Sequence, residues 1–173
     1  MKKIAMAVAA MMVAGVVSAQ ETASGSLAVT GTIESSITLT IESADGTTGG
    51  TGTNAATSGL GTITKFGAAP TGFTTARTAS NYTLQGSIGI KVDKANLTSA
   101  NFTLTAQLQS AAPSGVVYKV NGVTVGNSSP ATVTSTGAYS NTATDYDWHI
   151  EIANSVAHDT DVDNTINFTA NSN

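Results

Sequence analysis

The chain contains no cysteine and only three prolines. Without cysteine it can form neither disulfide bonds nor thiolate metal sites, so its stability must come from packing and hydrogen bonds. Beyond the first 19 residues, no segment approaches the ~20 consecutive apolar residues that a membrane-spanning helix needs. These absences exclude a disulfide scaffold, a zinc-thiolate domain and an inserted membrane protein.

Charged residues are also scarce, and basic ones more so than acidic ones. The chain has 7 Lys and Arg against 11 Asp and Glu. Without Lys2 and Lys3, which belong to the N-terminal segment described next, the balance is 5 − 11 = −6. Phosphate backbones and acidic lipids repel such a surface, which argues against nucleic-acid or membrane-surface binding.

The N-terminus has the three parts of a secretory signal peptide. Lys2 and Lys3 are followed by an apolar stretch, Ile4–Val17, and by small residues at Ser18 and Ala19. We therefore predict a signal peptide over residues 1–19 and one exported domain over residues 20–173. Export would place the protein in the periplasm, at the cell surface or outside the cell, and the sequence does not choose among these.

Apolar and polar residues alternate through most of the remaining chain, and no stretch has the 3.6-residue period of a helix. We predict an all-β protein with little or no helix: an antiparallel β-sandwich of about 8–9 strands, Ig-like/Greek-key or jelly-roll. A closed barrel is the second choice.

Local signals refine this prediction. Asn121-Gly122, between two alternating runs, predicts a hairpin with a type I′ turn. The short connection between the strands that begin at Asn81 and Asn101 predicts that these two are antiparallel neighbours. The Gly- and Thr-rich stretch 44–61 is expected to be a long loop.

The first alternating stretch, "SLAVTGTIESSITLTIES" over residues 26–43, places its large apolar side chains on odd positions. Ser35-Ser36 interrupts the apolar face. The second half is expected to belong to the chain's own core, whereas the first half lies near a free N-terminus. Leu27, Val29 and Ile33 are therefore our candidates for strand addition to a neighbouring subunit, in which an extended segment pairs with an exposed sheet edge. Pairing within the same chain remains the alternative.

The sequence "AHDTDVDN" places Asp159, Asp161 and Asp163 at alternate positions. Carboxylate oxygens are ligands that calcium prefers, so these three residues are the candidate metal site and calcium the one cofactor considered. The spacing departs from an EF-hand, because the sixth position is Asn164 and the twelfth is Ala170. An acidic, solvated loop fits the same residues.

No motif indicates catalysis. Alternation sends Asp145 and Asp147 to the face opposite Tyr146 and Trp148, so the acidic groups do not surround the aromatic ones. His149 and His158 lack the spacing of a zinc site. We therefore expect a protein that is not an enzyme.

An exported, cysteine-free sandwich with this opening segment and the terminal "NTINFTANSN" resembles the pilin-like structural subunits of secreted bacterial surface fibres. The resemblance spans the mature chain loosely and implies a non-enzymatic subunit whose partners are itself or other surface subunits. Pilins assembled through a chaperone and usher commonly carry a disulfide and a penultimate tyrosine, and this chain has neither. The alternative is a secreted carbohydrate-binding or adhesive module, calcium-stabilised, with Tyr139 or Tyr146 exposed to stack on sugars.

Overall fold

The computed structural model describes residues 30–32, 34–64 and 67–173. These residues form eleven strands and no helix, which confirms the all-β prediction. The chain divides into two compact units, Met1–Thr32 and Ile33–Asn173, and the eleven described strands all lie in the second. Among the described residues, no helix is long and apolar enough to cross a membrane.

The strands follow the alternating segments of the sequence closely, and eight of the eleven have four or more residues. They are β1 (Ser36–Ala44), β2 (Thr47–Gly49), β3 (Thr57–Ser58), β4 (Thr74–Arg77), β5 (Asn81–Ala95), β6 (Asn101–Leu108), β7 (Val116–Val120), β8 (Val123–Val125), β9 (Ala131–Ala138), β10 (Thr144–Ala153) and β11 (Ile166–Ser172).

Strand β5 is the centre of a six-stranded antiparallel sheet with the order β1-β5-β10-β7-β8. On one side β5 pairs with β10 from Asn81 to Ile90. On the other side its two ends pair with different strands, β1 and β4. Between those two partners, Asp45 bonds both backbone groups of Ser87: its carboxylate accepts from the Ser87 N–H at 2.7 Å and its own N–H donates to the Ser87 carbonyl at 2.9 Å.

A second sheet has three strands in the order β11-β6-β9. The apolar faces of the two sheets meet in one core, whose least exposed residues come from both sheets: Tyr82, Leu84, Leu104, Val120 and Ile150. From β5 onward, every connection except the one between β7 and β8 passes from one sheet to the other. The architecture is therefore consistent with the predicted sandwich of two antiparallel sheets.

The prediction that β5 and β6 are neighbours in one sheet is wrong, because each is the central strand of a different sheet. Their connection, residues 96–100, turns at Asn96, which has a φ of 56°. Five residues suffice to cross the ~10 Å between packed sheets. The alternating apolar faces of β5 and β6 thus pack against each other instead of lying side by side.

The predicted Asn-Gly hairpin is confirmed. Asn121 and Gly122 join β7 to β8 with φ values of 51° and 75°, both in the left-handed region that a type I′ turn requires. The stretch 44–61, predicted as loop throughout, instead includes the short antiparallel pair β2 and β3. The two strands are too short and too polar for the period of the sequence to reveal them.

Candidate assembly surface

The two sheets close over the core on the side formed by β8 and β9. Val125 on β8 and Val133 on β9 are only 2% and 5% exposed. The Leu108 N–H at the end of β6 donates to the carbonyl of Gly126, just after β8, at 3.0 Å and joins the two sheets there. We call this the closed side of the sandwich.

On the opposite side, β1 and β11 approach each other, but their inward side chains are less completely buried. β11 pairs with β6 along one edge, and none of the described residues form a strand along its other edge. Apolar side chains that point toward the core from these two strands are only half-buried: Ile37, Leu39, Ile166, Phe168 and Ala170. We call this the open side.

A cleft of about 230 Å³ enters the core at the open side. Ile41, Ile88, Trp148 and Ile150 of the large sheet line one wall, and Phe168, with its β11 neighbour Ile166, lines the other. Further residues complete the rim: Ala44, Ala56, Thr57, Ser58, Leu60, Tyr118, Val162, Asp163, Asn164 and Thr165. The cleft is therefore an opening between the two sheets with apolar walls and a partly polar rim, next to the start of β11.

Trp148, the only tryptophan of the chain, lines the cleft and packs against Phe73. Its ring meets the ring of Phe73 edge-on, with centroids 5.3 Å apart, and it lies opposite Gly86 on β5. A Cβ atom at Gly86 would lie 2.8 Å from Phe73 Cε1 and 2.9 Å from Trp148 Nε1. Glycine at this position therefore sets the place of the indole in the cleft wall.

Tyr118 fastens the loop before β11 to the rim of the cleft. Its hydroxyl donates a hydrogen bond to the carbonyl of Val162, and both residues line the cleft. Burial of the phenol, followed by the nearby carboxylates of Asp163 and Asp161, raises the pKa of Tyr118 to about 12. The fold thus stabilises the neutral form of this side chain.

This pKa shift predicts a loss of stability in alkali. The stabilisation is complete below the ordinary tyrosine pKa of about 10 and disappears as the pH rises through about 12. Tyr118→Phe should lower the free energy of unfolding by about 1 kcal/mol at neutral pH, because the bond to Val162 is lost. It should also flatten the decline between pH 10 and 12, though not fully, since burial raises the pKa of Tyr146 as well.

Urea unfolding measured across this pH range checks the prediction. Tyr82→Phe is the matched control, because the Tyr82 hydroxyl is buried and has no hydrogen-bond partner among the described residues. It should cost no stability at neutral pH. An alkaline decline in Tyr118→Phe as steep as in the unaltered protein would contradict the assignment.

Strand β1 belongs to the chain's own sheet, as predicted for the second half of the opening stretch. It pairs with β5 from Ser36 to Ala44, and Ile41 is buried in the core. Glu42 on β1 forms a 2.8 Å ion pair with Lys91 on β5, and this pairing, by hydrogen bond and charge, raises the lysine pKa. The three strand-addition candidates, Leu27, Val29 and Ile33, lie outside the described residues.

The three aspartates of the candidate calcium site occupy the exposed loop between β10 and β11. Asp159 forms a 2.7 Å pair with His158, and both side chains are more than four-fifths exposed. Asp161 accepts a hydrogen bond from the Asp163 backbone N–H at 3.1 Å. Within the described part of the chain, no three acidic or histidine side chains are grouped so that they could hold a metal ion.

Because the three aspartates are exposed and not grouped, we expect calcium to leave the stability of the protein unchanged. Thermal unfolding of the protein with added calcium and with an excess of chelator should give the same midpoint, because a metal stabilises a fold only through a site that the folded state assembles. A midpoint that falls on chelation, and does not fall in a triple Asp159→Asn, Asp161→Asn, Asp163→Asn variant, would restore calcium to this loop.

The aromatic residues proposed for sugar stacking are not exposed. Tyr146 is 7% exposed, so its prediction as a surface ring is wrong. Tyr139 is half-buried beside Phe102, and the Lys94 ammonium lies 4.9 Å from the centroid of its ring. Alternation had placed Tyr146 on the same face as Trp148, and that shared face is the core.

Sequence reasoning predicted β1 as a strand but did not identify the open side of the sandwich. Alternation placed Trp148 on the face opposite Asp145 and Asp147, and no sequence signal separates a core position at a closed edge from one at an open edge. The order of the strands decides which edge is open, and long-range pairing determines that order. Comparisons with protein-family models, with curated proteins and with solved structures found no match to this chain, so its geometry is what supports a function.

Proposed function

We propose that this protein is an exported, non-enzymatic subunit of a cell-surface or extracellular fibre or layer, and that strand addition joins one subunit to the next. The observation that carries the proposal is the incomplete sandwich. Six strands face three, and on the open side apolar side chains are only partly buried beside an edge of β11 without a described partner strand.

Such an edge is a liability in a protein that works alone. Unpaired backbone groups next to apolar surface are a template for pairing with another chain, and monomeric proteins usually cover or charge them. Here the inward row of β1 consists of Ile, Leu and Ile at odd-numbered positions, and the β11 row is Ile166, Phe168 and Ala170. Neither row contains the charge that would discourage association, which supports a role in assembly.

The chain also supplies a segment suited to such an edge. Residues 26–33, "SLAVTGTI", have the period of a strand with one apolar face and carry no charge. The predicted signal peptide would end just before this segment and leave it near a free N-terminus. Subunits with this pair of features, an open acceptor and an apolar donor, can join head to tail, and such contacts generate fibres when the rotation does not close.

Deletion of Gln20–Ser35 tests the proposal. The unaltered chain should form assemblies whose size grows with concentration, and the deletion should leave a folded monomer, because β1 and the core are untouched. Size-exclusion chromatography, circular dichroism and negative-stain microscopy measure these outcomes. A chain that stays monomeric at every concentration, together with a deletion that merely unfolds, would defeat the proposal.

A pair of point variants sharpens the comparison. Val29→Asp places a charge on the apolar face of the segment, and Thr30→Asp places the same charge at the next position, on its polar face. Burial of an unpaired carboxylate is costly, whereas an exposed carboxylate is not. Val29→Asp should therefore abolish assembly and Thr30→Asp should preserve it.

A further inference from the structure

We infer that the cleft is a binding site for small cationic amphiphiles, molecules that join a short apolar body to an ammonium group. The apolar body lies between the two sheets, and the ammonium group faces Asp163 at the rim. The inference goes beyond the proposed function and does not depend on it, because a single chain supplies the whole site. Four features of the described residues carry it: the walls of the cleft, its size, the charge at its rim and the anchoring of the loop that bears this charge.

The walls of the cleft are apolar down to the core. Ile41, Ile88 and Ile150 of the large sheet line it and are buried. Phe168 on β11 lines it from the small sheet and is half-buried, whereas Asp163 at the rim is exposed. A molecule that enters would therefore bury its apolar end and keep its polar group near water, since an unpaired polar group is costly to bury.

The size of the cleft limits the apolar body. Its volume is about 230 Å³. An apolar cavity of ~150 Å³ admits benzene, so the same space per carbon atom allows roughly nine carbon atoms here. Pockets for drug-sized ligands are larger, at ~300–1,000 Å³. A medium-length alkyl chain or a bicyclic ring therefore fits, and the long acyl chain of a membrane lipid does not.

The charge at the rim selects the polar group. Among the described residues that line the cleft, Asp163 is the only charged one, and none is basic. No described residue forms a hydrogen bond or an ion pair with its carboxylate. Asp161, which accepts a hydrogen bond from the Asp163 N–H at 3.1 Å, adds a second negative charge nearby. The rim therefore attracts an ammonium group and repels a carboxylate or a phosphate.

The loop that carries Asp163 is anchored on both sides of this residue. On one side, the Tyr118 hydroxyl donates to the carbonyl of Val162. On the other side, Asn164 forms two hydrogen bonds with the backbone of Ser110: its Oδ1 accepts from the N–H at 3.3 Å and its Nδ2 donates to the carbonyl at 3.0 Å. The backbone at the rim is thus already ordered, which lowers the entropy cost of binding.

The fluorescence of Trp148 measures binding without a label, because this residue lines the cleft and is the only tryptophan. The mature chain, residues 20–173, is titrated with octylamine, octanol and octanoate, which share an octyl chain and differ in charge. Each probe stays below its micelle-forming concentration. We expect a saturable shift of the emission to shorter wavelength, with octylamine bound about threefold more tightly than octanol and about tenfold more tightly than octanoate at low salt.

Two pairs of variants locate the site. Asp163→Asn should weaken octylamine binding about threefold and leave octanol binding unchanged. Its matched control is Asp159→Asn, which lies in the same exposed loop but does not line the cleft and should change neither affinity. Ile166→Phe enlarges a wall and should abolish binding of all three probes. Its control is Ile37→Phe, also half-buried on the open side but not in the cleft wall.

Circular dichroism establishes that the variants fold. If Ile166→Phe does not fold, the comparison of Asp163→Asn with Asp159→Asn decides the matter, because both positions are exposed and need no repacking.

Several results would overturn the inference. They are an emission that no probe changes, octanoate bound as tightly as octylamine, and undiminished octylamine binding by Asp163→Asn. Binding that appears only after deletion of Gln20–Ser35 would assign the cleft to the chain's own N-terminal segment and overturn the inference as well. Assembly of the chain is measured separately, so the inference and the proposed function can fail independently.

Discussion

Replacement of Leu104 by alanine is expected to lower the free energy of unfolding by about 2–5 kcal/mol. Leu104 lies on β6, the central strand of the small sheet, and its side chain is 0% exposed. Truncation leaves a cavity that neighbours on both sheets must accommodate, since interiors are close-packed. Few single changes in this protein should cost more.

Ile166→Ala is the matched comparison, because it removes a similar amount of side chain from the same sheet. Ile166 on β11 is only half-buried at the open side. In the non-assembling Val29→Asp background it should cost roughly 1 kcal/mol, since less apolar area returns to water. Urea unfolding of both variants in that background measures the difference. Equal losses would show that the side described as open is closed.

Gly86→Ala should also destabilise the protein, by about 1–3 kcal/mol through overpacking. The added methyl group would lie 2.8 Å from a ring atom of Phe73 and 2.9 Å from one of Trp148, so close that a ring or the backbone would have to shift. Since Trp148 forms part of the cleft wall, its fluorescence should change together with stability.

Gly126→Ala serves as the control for this change. Nothing lies within 4 Å of a Cβ atom at Gly126, and its φ is outside the left-handed region that strains an alanine. The substitution should therefore alter stability by no more than about 0.5 kcal/mol. Thermal unfolding followed by tryptophan emission compares the two variants, and equal midpoints would contradict the packing assigned to Gly86.

Much of the fold was predictable because side chains of a strand point alternately to its two faces, and the sequence shows this alternation directly. On β10, the exposed Asp145 and Asp147 and the core-facing Tyr146 and Trp148 lie on the faces that the period assigned to them. Asn121-Gly122 predicted its turn for an equally local reason, the tolerance of both residues for positive φ.

The wrong predictions concern features that depend on long-range strand pairing and not on the local alternation of side chains. The apolar faces of β5 and β6 satisfy the period whether the strands are neighbours or face each other across the core, and only the complete pairing selects the second arrangement. Tyr146 was predicted as an exposed ring for sugar stacking although alternation placed it on one face with Trp148, and its burial contradicts the exposed role. The cleft could not be predicted at all, since it depends on which strand ends up at the edge.

The most direct test of the central claim is the mass of the particles in solution. Light scattering coupled to size-exclusion chromatography, over a wide range of concentrations, should give masses that rise with concentration for the unaltered chain and for Thr30→Asp, and a monomer mass for Val29→Asp. A monomer mass for the unaltered chain throughout, or identical assemblies from Val29→Asp, would contradict assembly by strand addition.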